Sequence, residues 1–543
     1  MDAVQRSTWG ARQRVLFVIR NFTTVDRVLS VLGGLDLDPE DFIEIKFTTD
    51  GGSAFARDLA AHLKSLGGDA ISWREACKSS WNLVLAAHAS IKLRHLRGPL
   101  IIMAHGAGYR RVMSHTTGSD TTPTGLVRDQ LVHNGRLVPT VICLAHENQL
   151  PALVAEVPEA HGHTVVVGDP VMDQIRACRD RRSHYRGLLD VEPHQKLITV
   201  SSTWGRYSSL SAAPELPHRL LAQLPADRFK VALITHWNVQ KAHSPLEVKT
   251  FMREALDCGL IPIPSELGWH AALIATDLLA GDHGSVTVYG AALGLPVLLV
   301  SDGGPEVNRQ SVDAELWSAI KPLHVSGDLR SQVEATFQQH DPKRLPAFTD
   351  HLLGRPGAAL HILNNLAREL MRLPPAPPPK MRPVPDPAHF KTPVIGSHRF
   401  TAKLTAESPT AGRVELERFP EVARRLPYRA GDPFLVVDVQ GEVDETRRSN
   451  AEILLNSEVV NEEFARVWTE DTLARYQVEV TAVRLSTGSM IRFRDGPTLK
   501  LDCADPAVAA SALYAWRVAG HSLDALRQLT VLVGARVVEV TPG

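Results

Sequence analysis

The chain is poor in cysteine: five in 543 residues, none in a CxxC pair, which leaves no framework for disulfides or a structural zinc. Cys143, Cys178 and Cys258 have apolar neighbours and read as small buried hydrophobes. No apolar run approaches the roughly 18 residues of a bilayer span. The opening MDAVQRSTWGARQR lacks the apolar centre of a secretory signal, so a cytoplasmic chain is expected. Neither charge dominates, with 59 Lys and Arg against 60 Asp and Glu, which argues against a dedicated nucleic-acid binder. No metal-ligand spacing is visible, and no metal or cofactor is expected.

What is present is ordinary globular material, 44% hydrophobic and 22% charged, in a chain long enough for more than one core. Proline concentrates between Leu373 and Lys380 and recurs at Pro383, Pro385 and Pro387. Such a stretch fixes φ and removes amide donors, so it reads as an extended spacer. Before it, short apolar runs alternate with segments of helical spacing. The runs are Val15–Ile19, Ile43–Phe47, Pro99–Ala104, Thr140–Ala145, Thr164–Gly168, Leu197–Val200, Val231–Thr235, Leu278–Ala280 and Pro296–Val300. The helical segments include Ala54–Leu66, Glu247–Leu256, Val286–Leu293 and Gln332–Phe337. Strands apolar on both faces and separated by helices predict parallel sheets covered on both sides.

The expected fold class is therefore α/β: two Rossmann-type domains facing a cleft, plus a small C-terminal α+β domain. The expected boundaries are 1–180, 181–372, a linker over 373–387, and 388–543. In the last region Phe434–Val439, Tyr476–Leu485 and Val531–Val540 read as strands, and Ser449–Val467 and Pro506–Ala519 as helices. No motif there points to a reaction.

In open parallel sheets ligands sit at the carboxyl ends of strands, where helix N-termini offer amides to anions. His105-Gly106-Ala-Gly108 follows one strand. His105 is placed where a base reaches a substrate hydroxyl, and the glycines allow close backbone approach. The third glycine of a dinucleotide fingerprint is missing, so a NAD site is a poor reading. Gly168-Asp169-Pro170 reads as a connector, with Asp169 as a helix cap. Thr203-Trp204-Gly205-Arg206 offers a hydroxyl and a cation suited to phosphate oxygens. His236 is a second strand-end histidine. Asp282-His283-Gly284-Ser285 opens a helix; Asp282 and Ser285 suit caps, and the exposed amides suit a diphosphate.

Taken in order, these segments resemble the CDP-glycerol glycerophosphotransferase family, the teichoic-acid polymerases and primases of GT-B fold. The resemblance rests on His105-Gly106, on Gly168, Pro170 and Asp173, on Thr203-Trp204-Gly205-Arg206, on His236, and on Asp277 through Val300. It covers roughly residues 80 to 370. His283-Gly284 replaces the family's Tyr-Ser, and Trp237 stands where proline is usual. The resemblance implies transfer of a glycerol-phosphate unit from a CDP-linked donor to an acceptor hydroxyl in cell-surface polymer synthesis. It implies His105 as general base, His236 stabilising charge on the donor diphosphate, the helix opened by Ser285 binding its oxygens, and Asp282 fixing the loop. Gly106, Thr203, Arg206 and Gly284 complete the expected binding set. The acceptor would be a glycan or polyol phosphate, lipid-linked in the variant that brings the chain to the inner face of a membrane.

Two alternatives stay open. One is a nucleotide-sugar enzyme of the same fold, a glycosyltransferase or a non-hydrolysing epimerase, using a UDP-sugar; an epimerase would need carboxylates, for which Glu266 and Glu306 are the candidates. The other is a non-catalytic binding protein whose C-terminal domain meets a protein partner.

Overall fold

The computed structural model describes residues 13–34, 43–50, 56–65, 67–113, 118, 121–265, 267–309, 311–375, 377–421 and 433–541. Glu266 lies outside them. Among the described residues no helix is long and apolar enough to cross a membrane.

The apolar runs become strands buried on both faces. Val15, Phe17 and Ile19 enter one core and Leu16 and Val18 the opposite one, so no face of that run is free to carry a polar residue. Each such side chain contributes about 1.5–3 kcal/mol on full burial. Strands β1 (Gln13–Ile19), β2 (Ile43–Thr49), β3 (Leu83–Ala86), β4 (Leu100–Met103), β5 (Val141–Leu144) and β6 (Thr164–Val166) form one sheet. Its order is β2-β1-β3-β4-β5-β6, with every pairing parallel. A second sheet is built from β7 (Lys196–Ser202), β8 (Phe229–Thr235), β9 (Ile261–Ile263), β10 (Leu278–Gly281), β11 (Val297–Leu299) and β12 (Lys321–Pro322). Its order is β9-β8-β7-β10-β11-β12, again all parallel. Both are doubly wound. The strand order reverses between β1 and β3 in the first sheet and between β7 and β10 in the second, and these are the crevices where such sheets bind ligands.

Two helices carry the chain between the two units, and the proline-rich stretch then returns it to the second one. Helix Pro170–Ala177, capped by Asp169, carries it outward. Helix Ala359–Leu370 brings it back, placing Leu363, Ala367 and Met371 in the core of the first sheet although they lie in the sequence span expected for the second domain. The crossings are stapled together, because Asp173 accepts the backbone N–H groups of Gly357 (2.6 Å) and Ala359 (3.0 Å).

The C-terminal unit is a nine-stranded mixed sheet backed by helix Pro506–Val518, whose Trp516 is fully buried. The helix expected over Ser449–Val467 is corrected. Helix Glu445–Ser449 is followed by a strand, Ile453–Val460, and a second helix, Glu462–Arg475. Ile453 and Leu455 enter one core and Leu454 another, between parallel neighbours on both sides, so burial on two faces overrides local helix spacing. The strand expected over Val531–Val540 is a hairpin of Gln528–Val533 and Arg536–Val540, turning at Gly534 with φ 63°.

The described residues of the proline-rich stretch form no helix or strand and lie along the protein. Gln174 Nε2 donates to the Arg382 carbonyl (3.0 Å), His184 meets Asp386 (3.0 Å), and Phe390 N–H bonds the Leu188 carbonyl (2.9 Å). The C-terminal unit is tied to the second sheet by the two-pronged Arg330–Glu417 pair (2.8 and 2.7 Å) and by Arg418–Asp227 (2.7 Å).

Candidate active site

Both strand-end crevices open onto one cavity of about 640 Å³ between the two doubly wound domains. His105, Gly106, Thr203, His236, Gly284 and Ser285 line it. Asp282 sits beneath the lining, fully buried. Arg206 does not join them: it is exposed, with its guanidinium against its neighbour Tyr207, so the cation expected there is not at the cavity.

Helix Ser285–Ala292 begins at the carboxyl end of β10 with Gly284 as N-cap and no side-chain cap. This corrects the capping expected of Asp282 and Ser285. Asp282 instead accepts three backbone N–H groups, from Thr203 (2.8 Å), Ser209 (2.8 Å) and Gly284 (3.0 Å), and so holds the loops after β7 and β10 together. Burial raises its pKa against those bonds and against His283. Ser285 Oγ faces the other domain, accepting the N–H of Ala107 at 3.1 Å. A Cβ on Gly106 would stand 2.3 Å from that hydroxyl, so a larger residue there would push the Ser285 side chain out of its contact between the two domains.

His105 follows β4 and stands open to the cavity. The protein packed around it, helped by Arg27 and His88 and opposed by the Ala87 backbone, lowers its pKa to about 4. It is a neutral ring at pH 7. His236 is also neutral, with burial, His105 and Arg111 lowering its pKa to about 3. Its Nδ1 accepts from Asn238 N–H (3.1 Å), which leaves the proton on Nε2, 3.2 Å from Thr23 Oγ1 of the first domain. It therefore has one N–H to give and no positive charge.

Of the residues that hold the two domains together, Arg27, Arg110, Arg111 and Tyr289 were given no role by the sequence. Arg27, on helix Phe22–Gly34, pairs with Asp169 (2.9 Å) and donates to Gly106 O (2.6 Å) and Tyr289 Oη (3.1 Å). Tyr289 in turn donates to Asp169 (3.0 Å). Burial lowers the Arg27 pKa, but Asp169 and Tyr289 outweigh it and the guanidinium stays charged. Asp169 is thus a helix cap and also an interdomain keystone. Arg111 crosses the cavity to Glu306 (2.7 Å), which also bonds His283 Nε2 (3.0 Å). Despite partial burial, these two partners hold the Glu306 pKa low. Arg110 reaches Asp313 (3.4 Å). Trp237 lies against Phe22 with ring centroids 3.7 Å apart, so the residue replacing the family proline packs between domains. Trp204, Trp237, Trp269 and Trp317 all line the cavity and give it flat apolar faces. Among the described residues no group of His, Cys, Asp and Glu is arranged to hold a metal.

Two doubly wound domains with one cleft between their carboxyl edges make a GT-B-like α/β architecture, here with an added C-terminal sheet domain. The sequence matches no protein-family model and no curated protein. Among solved structures it is similar to the Wall Teichoic Acid Polymerase TagF, at 13% identity over 66% of this chain and 89% of that one, TM-score 0.44. A putative UDP-N-acetylglucosamine 2-epimerase from Listeria monocytogenes gives 15% identity over 68% of this chain and 100% of that one, TM-score 0.47. The S. aureus MnaA-UDP co-structure gives 12% over 68% and 100%, TM-score 0.44.

Proposed function

We propose that the chain is a transferase moving a glycerol-phosphate or related alditol-phosphate unit from a CDP-linked donor to an acceptor hydroxyl. One observation carries the reading: His105 on the first domain and the uncapped start of helix Ser285–Ala292 on the second line the same cavity. The helix amides and dipole would receive the diphosphate without a metal. Asp282 would keep the Thr203 and Gly284 backbones in place around it, and His236 would offer its single N–H.

In the step itself the acceptor oxygen bonds the donor phosphorus while the P–O bond to CMP breaks, and CMP leaves with the bonding pair. His105, neutral at pH 7, takes the hydroxyl proton. A polyol-phosphate or glycan acceptor, when lipid-linked, would bring the chain to the inner face of a membrane. The C-terminal sheet domain would be free to meet a protein partner.

A nucleotide-sugar epimerase on this fold needs a carboxylate free to take a proton. Glu306 is engaged by both Arg111 and His283, which favours the transferase. Calorimetric titration with CDP and UDP tests the reading directly: CDP should bind and UDP should bind more weakly. Preference for UDP would move the chain to the nucleotide-sugar class, and binding of neither would make it a non-catalytic binding protein.

A further inference from the structure

Four arginines line the cavity: Arg20, Arg27, Arg110 and Arg111. Three are spent, on Asp169, Asp313 and Glu306 respectively. Arg20 is left over. It directly follows β1, is exposed to the cavity, and has no ion pair among the described residues. Its backbone is fixed, since the N–H groups of Arg20 and Asn21 both bond Thr24 Oγ1 at 3.0 Å. His88 lies two residues past β3, the strand beside β1 at the reversal point of the first sheet. Its side chain is 5% exposed and lines the cavity; Nε2 is 3.5 Å from Asp50 Oδ2, within ion-pair reach, and neither ring nitrogen has a hydrogen-bond partner. A buried nitrogen without a partner is costly unless something else fills that role.

We propose that Arg20 and His88 form an oxyanion subsite on the first domain that receives a phosphoryl group carried by the acceptor. The inference rests on the transferase reading and adds the acceptor's chemistry to it. A phosphomonoester has three free oxygens, enough for a two-pronged contact from Arg20 and a third contact to His88 Nδ1. A carboxylate has only two. The location is the crevice where a doubly wound sheet takes its ligand, and it is distinct from the donor crevice between β7 and β10. The surroundings of His105 fit as well: beyond burial, the larger cause, the nearby Arg27, His88 and Arg20 all disfavour a proton on its ring. An anion beside His105 would offset these neighbours and make the ring a stronger base when acceptor is present.

The arrangement also sets a proton count. With Asp50 accepting at one ring nitrogen and an unprotonated phosphate oxygen accepting at the other, both nitrogens of His88 carry hydrogen, and a ring that burial keeps neutral beforehand draws one proton from solution on binding.

The test is calorimetry on the full chain with inorganic phosphate, in two buffers of different ionisation enthalpy, with acetate at matched ionic strength as the second arm. Phosphate should bind with proton uptake and acetate should bind much more weakly. Arg20→Ala should weaken phosphate binding by roughly tenfold or more, as for a lost charge-assisted contact, and Arg20→Lys should restore part of it. His88→Gln should abolish the proton uptake. CDP affinity should stay within about twofold in all three variants, because a contact at a separate crevice adds independently. Phosphate binding that is unchanged by Arg20→Ala, equalled by acetate, or lost only in Gly284→Val would overturn the proposal. Should wild type bind phosphate at Arg20 but neither CDP nor UDP, the transferase reading fails while the subsite stands. If His88→Gln does not fold, the exposed Arg20 still decides the matter.

Discussion

Ser285 Oγ accepts the backbone N–H of Ala107 at 3.1 Å, so the first residue of the donor-side helix is bonded to the loop that carries His105. The two halves of the proposed site touch directly at Gly106 and Ser285, and a diphosphate at that helix must share or displace the bond. Ser285→Ala should therefore have two opposed effects, losing one donor to the ligand and freeing the Ala107 amide. Titration should find a modest net weakening for CDP, about 1 kcal/mol or less.

Gly106→Ala should act on the same contact from the other side. Its methyl would push the Ser285 side chain out of its contact and so weaken the closure of the domains. Turnover should fall with little change in CDP affinity, and small-angle scattering should report a larger radius of gyration. An unchanged radius with full turnover would mean that the closed contact is not part of the cycle.

His105→Ala should leave CDP binding nearly intact and lower turnover by roughly 10²- to 10⁴-fold, as for a lost general base. The pH profile adds a sign. The neutral ring is the active form, so kcat/KM should be flat through neutrality and fall as pH drops through about 4. An acid limb near the ordinary histidine value in kcat/KM would remove His105 from the role.

Asp169→Asn should destabilise the fold as well as the site. Asparagine can still cap helix Pro170–Ala177, but Arg27 would remain buried without its counter-charge. Breaking a buried pair in this way costs about 3–5 kcal/mol. Denaturant unfolding should show the loss, and Asn behaving like wild type would reduce Asp169 to its capping role.

Stability should also depend on pH through histidines kept neutral by burial. His270, stacked on Trp269, is lowered to about 3, chiefly by burial and further by Arg27, against Asp169. In the unfolded chain it titrates near ~6.5, so between these values the unfolded state binds more protons and stability falls as pH falls. Each such group contributes a slope of about 1.4 kcal/mol per pH unit. His270→Phe should flatten the curve in that window and leave it unchanged above neutrality.

The strand-end rule picked out part of the cavity lining from sequence and missed the rest for identifiable reasons. Continuous apolar runs such as Val15–Ile19 and Val231–Thr235 were legible because both faces of each strand are buried. The run Leu83–Ala86 was too short to stand out, and with it went His88. Arg27 and Arg111 were invisible, and Glu306 was legible only as a candidate carboxylate, because their roles depend on partners far away in sequence, as with Arg27 and Asp169, 142 residues apart. In the C-terminal unit the long hairpin of Ser397–Ser408 and Ala411–Pro420 alternates polar with apolar residues and exposes one face, so it lacks the signature of the buried parallel strands.

The two helical crossings between the domains, stapled by Asp173 to Gly357 and Ala359, set limits on how the cavity can open. A single connecting strand would let the halves swivel in any direction. Two helices pinned side by side would act as the spine of a book, favouring one axis and resisting twist about the others. Opening along that axis would separate Arg111 from Glu306 and Ser285 from Ala107 in one movement while leaving each crevice intact on its own page. Ligand entry and domain alignment would then share one movement, with the pages brought back to the same register as the spine folds.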